Sequence, residues 1–131
     1  MKQEDEELLL KDLCMALPYG VICKCYHTEF DEWSGEPFVA KYNNTLKNID
    51  VNGVFLVGGF SYEIDEIKPY LRPMSSMTEE EIKLEREIQQ DCLFGRKPLI
   101  TLTDFYYSRH LDVNGLIEKG LALEAPKGMY N

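Results

Sequence analysis

Cys23, Cys25 and His27 alternate through the run Val21-Ile22-Cys23-Lys24-Cys25-Tyr26-His27. On an extended strand alternate side chains share a face, so two sulfurs and an imidazole point the same way. Such donors, joined by Cys14 or His110, are the ingredients of a zinc site. Structural zinc sites take their thiolates from a tight C-x₂₋₄-C turn, whereas C-x-C on a strand spreads them apart. The trio therefore reads first as part of a core strand, and no metal ligand is assigned. A thiol with a neighbouring imidazole is also the raw material of a nucleophile and its base. No nucleophile elbow or other local signature accompanies it, and no catalytic residue is assigned.

Two further patterns invite a chemical reading. Gly53-Val54-Phe55-Leu56-Val57-Gly58-Gly59 has the glycines of a phosphate loop but lacks its Lys-Ser/Thr pair. It reads as a strand, and no cofactor is expected. Glu29, Asp31, Glu32 and Glu36 lack the regular ligand alternation of a calcium loop, so they read as a solvated turn. Trp33 lies inside that turn. It is either an exposed anchor for a partner or folded back over the sheet, and the second is the expectation. Tyr106, Tyr107 and Arg109, near Phe105 and His110, resemble a stacking surface. Helical spacing makes Phe105, Tyr106 and Arg109 core plus rim. Trp33, Tyr106, Tyr107 and Arg109 are the candidate interaction residues.

The elements that must position these groups follow from periodicity. Residues 5–17 carry Leu9, Leu13 and Leu17, with Leu10 and Cys14 beside them, at helical spacing. Glu4 to Glu7 suit the positive end of that helix, and Pro18 should force Leu17 out of the α region. From Val21 to Tyr62 the pattern becomes extended. Asn52-Gly53 fits a type I′ turn pairing Leu46–Val51 with Val54–Phe60. Val54 to Val57, apolar throughout, suggests a central strand covered on both faces. Gly58-Gly59 marks a bulge or a close approach.

Pro69 and Pro73 make Lys68–Met77 a rigid connector, expected to pack over the sheet and lock the β half of the chain to the helical half. Thr78 and Glu81 form a capping box for a second helix with Leu84, Ile88 and Cys92 buried and Gly95 as its stop. Lys83, Glu87 and Asp91 mark its solvated side. Pro98–Leu102 is expected to be a short strand. Thr103 or Asp104 should cap a helix over Phe105–His110, and Asp112 a last short helix closed by Gly120.

Three segments carry a family resemblance. They are Asp12-Leu13-Cys14 with Leu17-Pro18-Tyr19-Gly20-Val21, the stretch Lys68 to Glu81, and Gly115 to Tyr130. The chain resembles a group of small hypothetical proteins of Bacteroides-type gut anaerobes and their phages and mobile elements. Residues 27–60 and 93–111 match only in general character. The resemblance implies an accessory role in that setting, assigns no activity, and carries over no site residue.

At 131 residues and 44% hydrophobic, the chain supports one core, so residues 1–131 are expected to form a single domain. A formal charge of −9 repels phosphate backbones, so direct nucleic-acid binding is not expected. No run approaches a membrane span, and the acidic N-terminus is unlike a signal peptide. A cytoplasmic protein with four reduced cysteines used as small core residues is expected. The fold class is α+β: an N-terminal helix, an antiparallel sheet of three or four strands over residues 20–62, and a helical C-terminal half with one added strand. The expected function is binding of an unknown protein partner, without catalysis. The alternatives are a nucleotide-sequestering oligomer and an acidic DNA mimic.

Overall fold

A computed structural model describes residues 1–50 and 55–130. It is an α+β fold, with helix α1 (Gln3–Ala16), a six-stranded mixed sheet, and helices α2 (Glu79–Leu93) and α3 (Ile100–Ser108) in the C-terminal half. The strands are β1 (Ile22–Phe30), β2 (Pro37–Ile49), β3 (Phe55–Val57), β4 (Phe60–Tyr62), β5 (Ile67–Leu71) and β6 (Leu123–Glu124), in the order β4-β3-β2-β1-β5-β6. Pairing is antiparallel except between β5 and β6. No helix among the described residues is long and apolar enough to cross a membrane.

Glu4, Asp5 and Glu6 occupy the first turn of α1, where they oppose the helix dipole. The helix buries Leu9, Asp12, Leu13 and Ala16. Cys14 is exposed and Leu10 partly so, which moves the expected stripe round to the face holding Asp12. Leu17 stays helical at φ −50° and ψ −45°, contrary to expectation. Pro18 falls in the first turn of a tighter helical turn, Leu17–Tyr19, where its missing N–H is not needed, and Gly20 at φ 71° closes it.

Leu9, Leu13 and Ala16 pack with Cys23, Cys25, Leu46, Phe55, Val57, Ile67 and Leu71 of the sheet and with Tyr107, Leu116 and Leu121. A second cluster joins Ile88 of α2 to Phe105 of α3 and to Leu111, with Met74, Met77, Leu84 and Cys92 against it. The thiols of Cys23 and Cys25 are therefore core groups, as expected, whereas Cys92 is half-buried.

β2 and β3 pair as expected from Leu46↔Val57 to Ile49↔Phe55, with a bulge after Leu46. The Asn52-Gly53 turn lies outside the described residues. β3 is second from the sheet edge rather than central. Gly58 and Gly59 form the turn between β3 and β4, since Val57 pairs with Phe60. Gly58 has φ 64°, and a Cβ there would meet Asn44 Nδ2 at 2.6 Å. Left-handed backbone and close approach both call for glycine.

The Lys68–Met77 segment is not simply a connector. Its first part is strand β5, with Pro69 fully buried opposite Cys23. The hydrogen bonds Leu46 N–H to Val21 O and Asp31 N–H to Glu36 O show that odd β1 residues turn their main-chain groups toward β2. Cys23 therefore asks nothing of Pro69, and the proline costs no ladder bond. Leu71 then belongs to the sheet cluster, and Met74 and Met77 to the helical one, so the segment does tie the two together.

Pro98–Leu102 is not a strand: α3 starts at Ile100, with Thr101 N–H and Leu102 N–H already bonded to Pro98 O and Leu99 O. Leu99 and Ile100 are exposed and have no sheet neighbour, so their β propensity goes unused. Thr103 and Asp104 lie inside the helix and do not cap it; Asp104 accepts a hydrogen bond from the Tyr19 hydroxyl at 2.9 Å. Asp112 does bind main-chain N–H groups, of Leu116 at 2.8 Å and Ile117 at 3.0 Å, but the segment is a turn, closed by Gly120 at φ 74°.

Candidate interaction surface

The β1–β2 hairpin carries the candidate tryptophan. Asp31 organises its turn: Oδ1 accepts from Trp33 N–H and Ser34 N–H, both at 2.9 Å, and Asp31 O accepts from Gly35 N–H. These N–H bonds hold the Asp31 carboxyl below its usual range. Trp33 is 96% exposed on this braced turn, which overturns the expectation that it folds back. Phe30, beside it at the end of β1, is 66% exposed. Glu32 and Glu36 stand exposed around the pair.

The same ribbon carries Cys23, Cys25, His27 and Glu29 on one face, opposite Asn44, Tyr42, Ala40 and Phe38 of β2. Cys23 and Cys25 lie in the core, and burial pushes both thiols up, Cys25 to about 11. His27 comes to lie among aromatic rings: Tyr42 at 5.0 Å, and Phe60 and Tyr62 at 5.7 Å. Its two nitrogens meet the Tyr62 hydroxyl at 3.1 Å and Glu29 Oε1 at 2.9 Å. Glu29 also accepts from the Tyr42 hydroxyl at 3.0 Å; the hydrogen bond with His27 first, and that from Tyr42 second, hold its carboxyl below the usual range. The trio shares a face, but the thiols are held protonated and the imidazole is engaged elsewhere. Cys14 lies exposed on α1, and His110 is stacked on Tyr130 at 3.7 Å. Glu63, Asp65 and Glu66 form an exposed acidic group whose members Glu63 and Glu66 cap their own turn.

The remaining candidates lie on α3 and just beyond it. Tyr107 is buried, and its hydroxyl accepts from Asn114 Nδ2 at 3.0 Å. Tyr106 is half-buried and donates to Glu85 at 2.7 Å; burial first, and this hydrogen bond second, push its phenol up to about 12. Arg109 lies over the Phe105 ring at 4.4 Å and beside Glu81 at 3.5 Å. These three are core and rim, apart from the Trp33 turn. Near them a cleft of about 560 Å3 is lined by Arg72, Thr78, Glu81, Glu124, Lys127 and Tyr130. Arg72, its natural anion receptor, is already bound by Glu81.

Sequence reasoning misses two features. Leu93, Phe94, Leu99 and Ile100 are exposed where α2 meets α3, with Arg96 over the Phe94 ring at 5.3 Å. The Tyr130 hydroxyl enters the sheet itself. The β1–β5 register would place Ile22 opposite Tyr70, but there Ile22 N–H donates to Tyr130 and Tyr130 donates to Tyr70 O, each at 2.8 Å. No pattern in a single sequence announces so distant a pairing.

The fold and surface define an α+β protein with a six-stranded mixed sheet and an apolar hairpin tip. No protein-family model, curated protein or solved structure matches the chain.

Proposed function

We propose that the protein is a non-catalytic binding protein that docks on a protein partner through the Trp33 turn. The observation that carries this reading is a fully exposed tryptophan held on a rigid turn. Tryptophan is a preferred anchor at protein interfaces, and one held in place beforehand binds at a reduced ordering cost. Glu32 and Glu36 around Trp33, on a chain of charge −9, select an apolar socket rimmed by Lys and Arg. The raised thiols of Cys23 and Cys25 are the opposite of an activated nucleophile. An accessory role, as the resemblance to mobile-element proteins suggests, is the proposed setting.

The test is a photo-crosslinking side chain at position 33, compared with one at Phe94. A protein crosslinked only from position 33, competed by the wild-type chain and not by Trp33→Ala, supports the reading. Trp33 is the sole tryptophan, so its emission should shift to the blue on titration with that protein. Crosslinks only from Phe94 move the interface to the α2–α3 junction. Turnover in a broad hydrolase screen overturns the non-catalytic assignment.

A further inference from the structure

The β2 strand has an open edge. Because even β2 residues face β1, Val39, Lys41 and Asn43 turn their N–H and C=O groups the other way. On that side β3 pairs only from Leu46 onward, and the Gly58 turn meets Thr45 O. Among the described residues no strand pairs with this side of β2 from Pro37 to Asn44, where Phe38, Val39 and Tyr42 are exposed. An open apolar edge is a template for strand addition.

We infer that this edge pairs with a second copy of the same chain, antiparallel about a two-fold axis at Ala40. Three features select a second copy as the occupant. Lys41 is the one charged residue between Pro37 and Leu46, so no carboxylate in this window meets its counterpart when two copies of a chain of charge −9 pair along it. An axis at Ala40 sets Val39 of each copy opposite Lys41 of the other, and these are residues with free main-chain groups to exchange. It also sets Phe38 opposite Tyr42, on the face where Tyr42 already stacks on His27. Aromatic pairs directly opposite one another stabilise a sheet, whereas an axis at Lys41 would oppose like charges. The dimer continues the sheet across the axis and leaves Trp33, on the turn beyond Pro37, free for a different protein.

Sedimentation velocity over a concentration series tests this, together with hydrogen exchange at the Val39 and Lys41 amides. The expected result is a dimer whose population rises with salt, and amides protected only at dimer-forming concentrations. Val39→Lys, which faces Lys41 of the other copy, should make the protein monomeric, with the melting temperature of wild type at concentrations where both are monomers; Val39→Ile should remain dimeric. A wild-type monomer up to about 1 mM, the weak end of specific affinity, overturns the inference. So does a dimer indifferent to Val39→Lys. Trp33→Ala should stay dimeric, so this result and the partner-docking test fail independently.

Discussion

Arg72 grips Glu81 through two parallel hydrogen bonds, Nη1 to Oε2 at 3.0 Å and Nη2 to Oε1 at 2.7 Å. The same carboxylate accepts from Thr78 N–H at 3.0 Å and so completes the capping box of α2. One side chain therefore starts the helix and ties it to the end of β5.

Arg72 is the main reason that the Glu81 carboxyl is held at about 2, well below its ordinary 4.5. A depressed acid stabilises the fold above its unfolded value and loses that stabilisation as pH falls toward the folded one. Glu81→Gln should cost about 1–3 kcal/mol near neutrality. In urea titrations the gap between wild type and variant should close between pH 5 and pH 2.

Leu71 is 2% exposed and sits in the sheet cluster at the point where the chain leaves for the helices. Leu71→Ala should destabilise by about 2–5 kcal/mol. Denaturant unfolding checks the figure. A loss of partner binding without loss of stability would show that this segment serves as a surface instead.

Asp12 is fully buried on α1; Oδ1 accepts from Asn114 at 2.8 Å, and Oδ2 has no hydrogen-bond partner. Burial raises its carboxyl from 3.8 to about 6, and the charge of Asp112 adds to the rise. Here the fold favours the protonated acid, so the stabilisation is complete below about pH 4 and is lost as pH rises through 6. This group alone should weaken the protein by roughly 3 kcal/mol at most between pH 4 and pH 7.5. Asp12→Asn should flatten that part of the stability curve, measured as urea midpoints against pH.

Tyr130→Phe removes the hydroxyl that both accepts from Ile22 N–H and donates to Tyr70 O. Two main-chain groups lose their partner, at a cost of about 1–3 kcal/mol. Exchange of the Ile22 amide should accelerate, while the Ile82 amide, bonded to Thr78 O in the first turn of α2, reports only the global change.

Local signals foretell the elements whose stability is local. Helix α2 is legible because Thr78 and Glu81 satisfy each other within one turn, and α1 because its leucines repeat at helical spacing. β5 is illegible for a geometric reason: two prolines argue against a strand unless one knows that Pro69 faces Cys23 across a pair needing no hydrogen bond. Pro98 to Leu102 misleads in the opposite sense. Their β propensity is real, but no strand lies beside them, and the helix closes on main-chain bonds alone. The shared face of Cys23, Cys25 and His27 follows from alternation, whereas the rings around His27 come from β2 and β4. The exposure of Trp33 depends on Asp31 bracing the turn, and composition alone favours burying so large a ring.

The Tyr130 contact also sets an order on the making of the protein. Ile22 is synthesised more than a hundred residues before the phenol that meets its amide. While the chain grows from its N-terminus, β1 and β2 can zip early, because their partners are near in sequence. The seam between β1 and β5 stays unfinished at its Ile22–Tyr70 end until Tyr130 has emerged. Ribosome-bound nascent chains halted before Tyr130 should therefore hold the hairpin and leave that seam open to solvent, and chains extended past Tyr130 should close it.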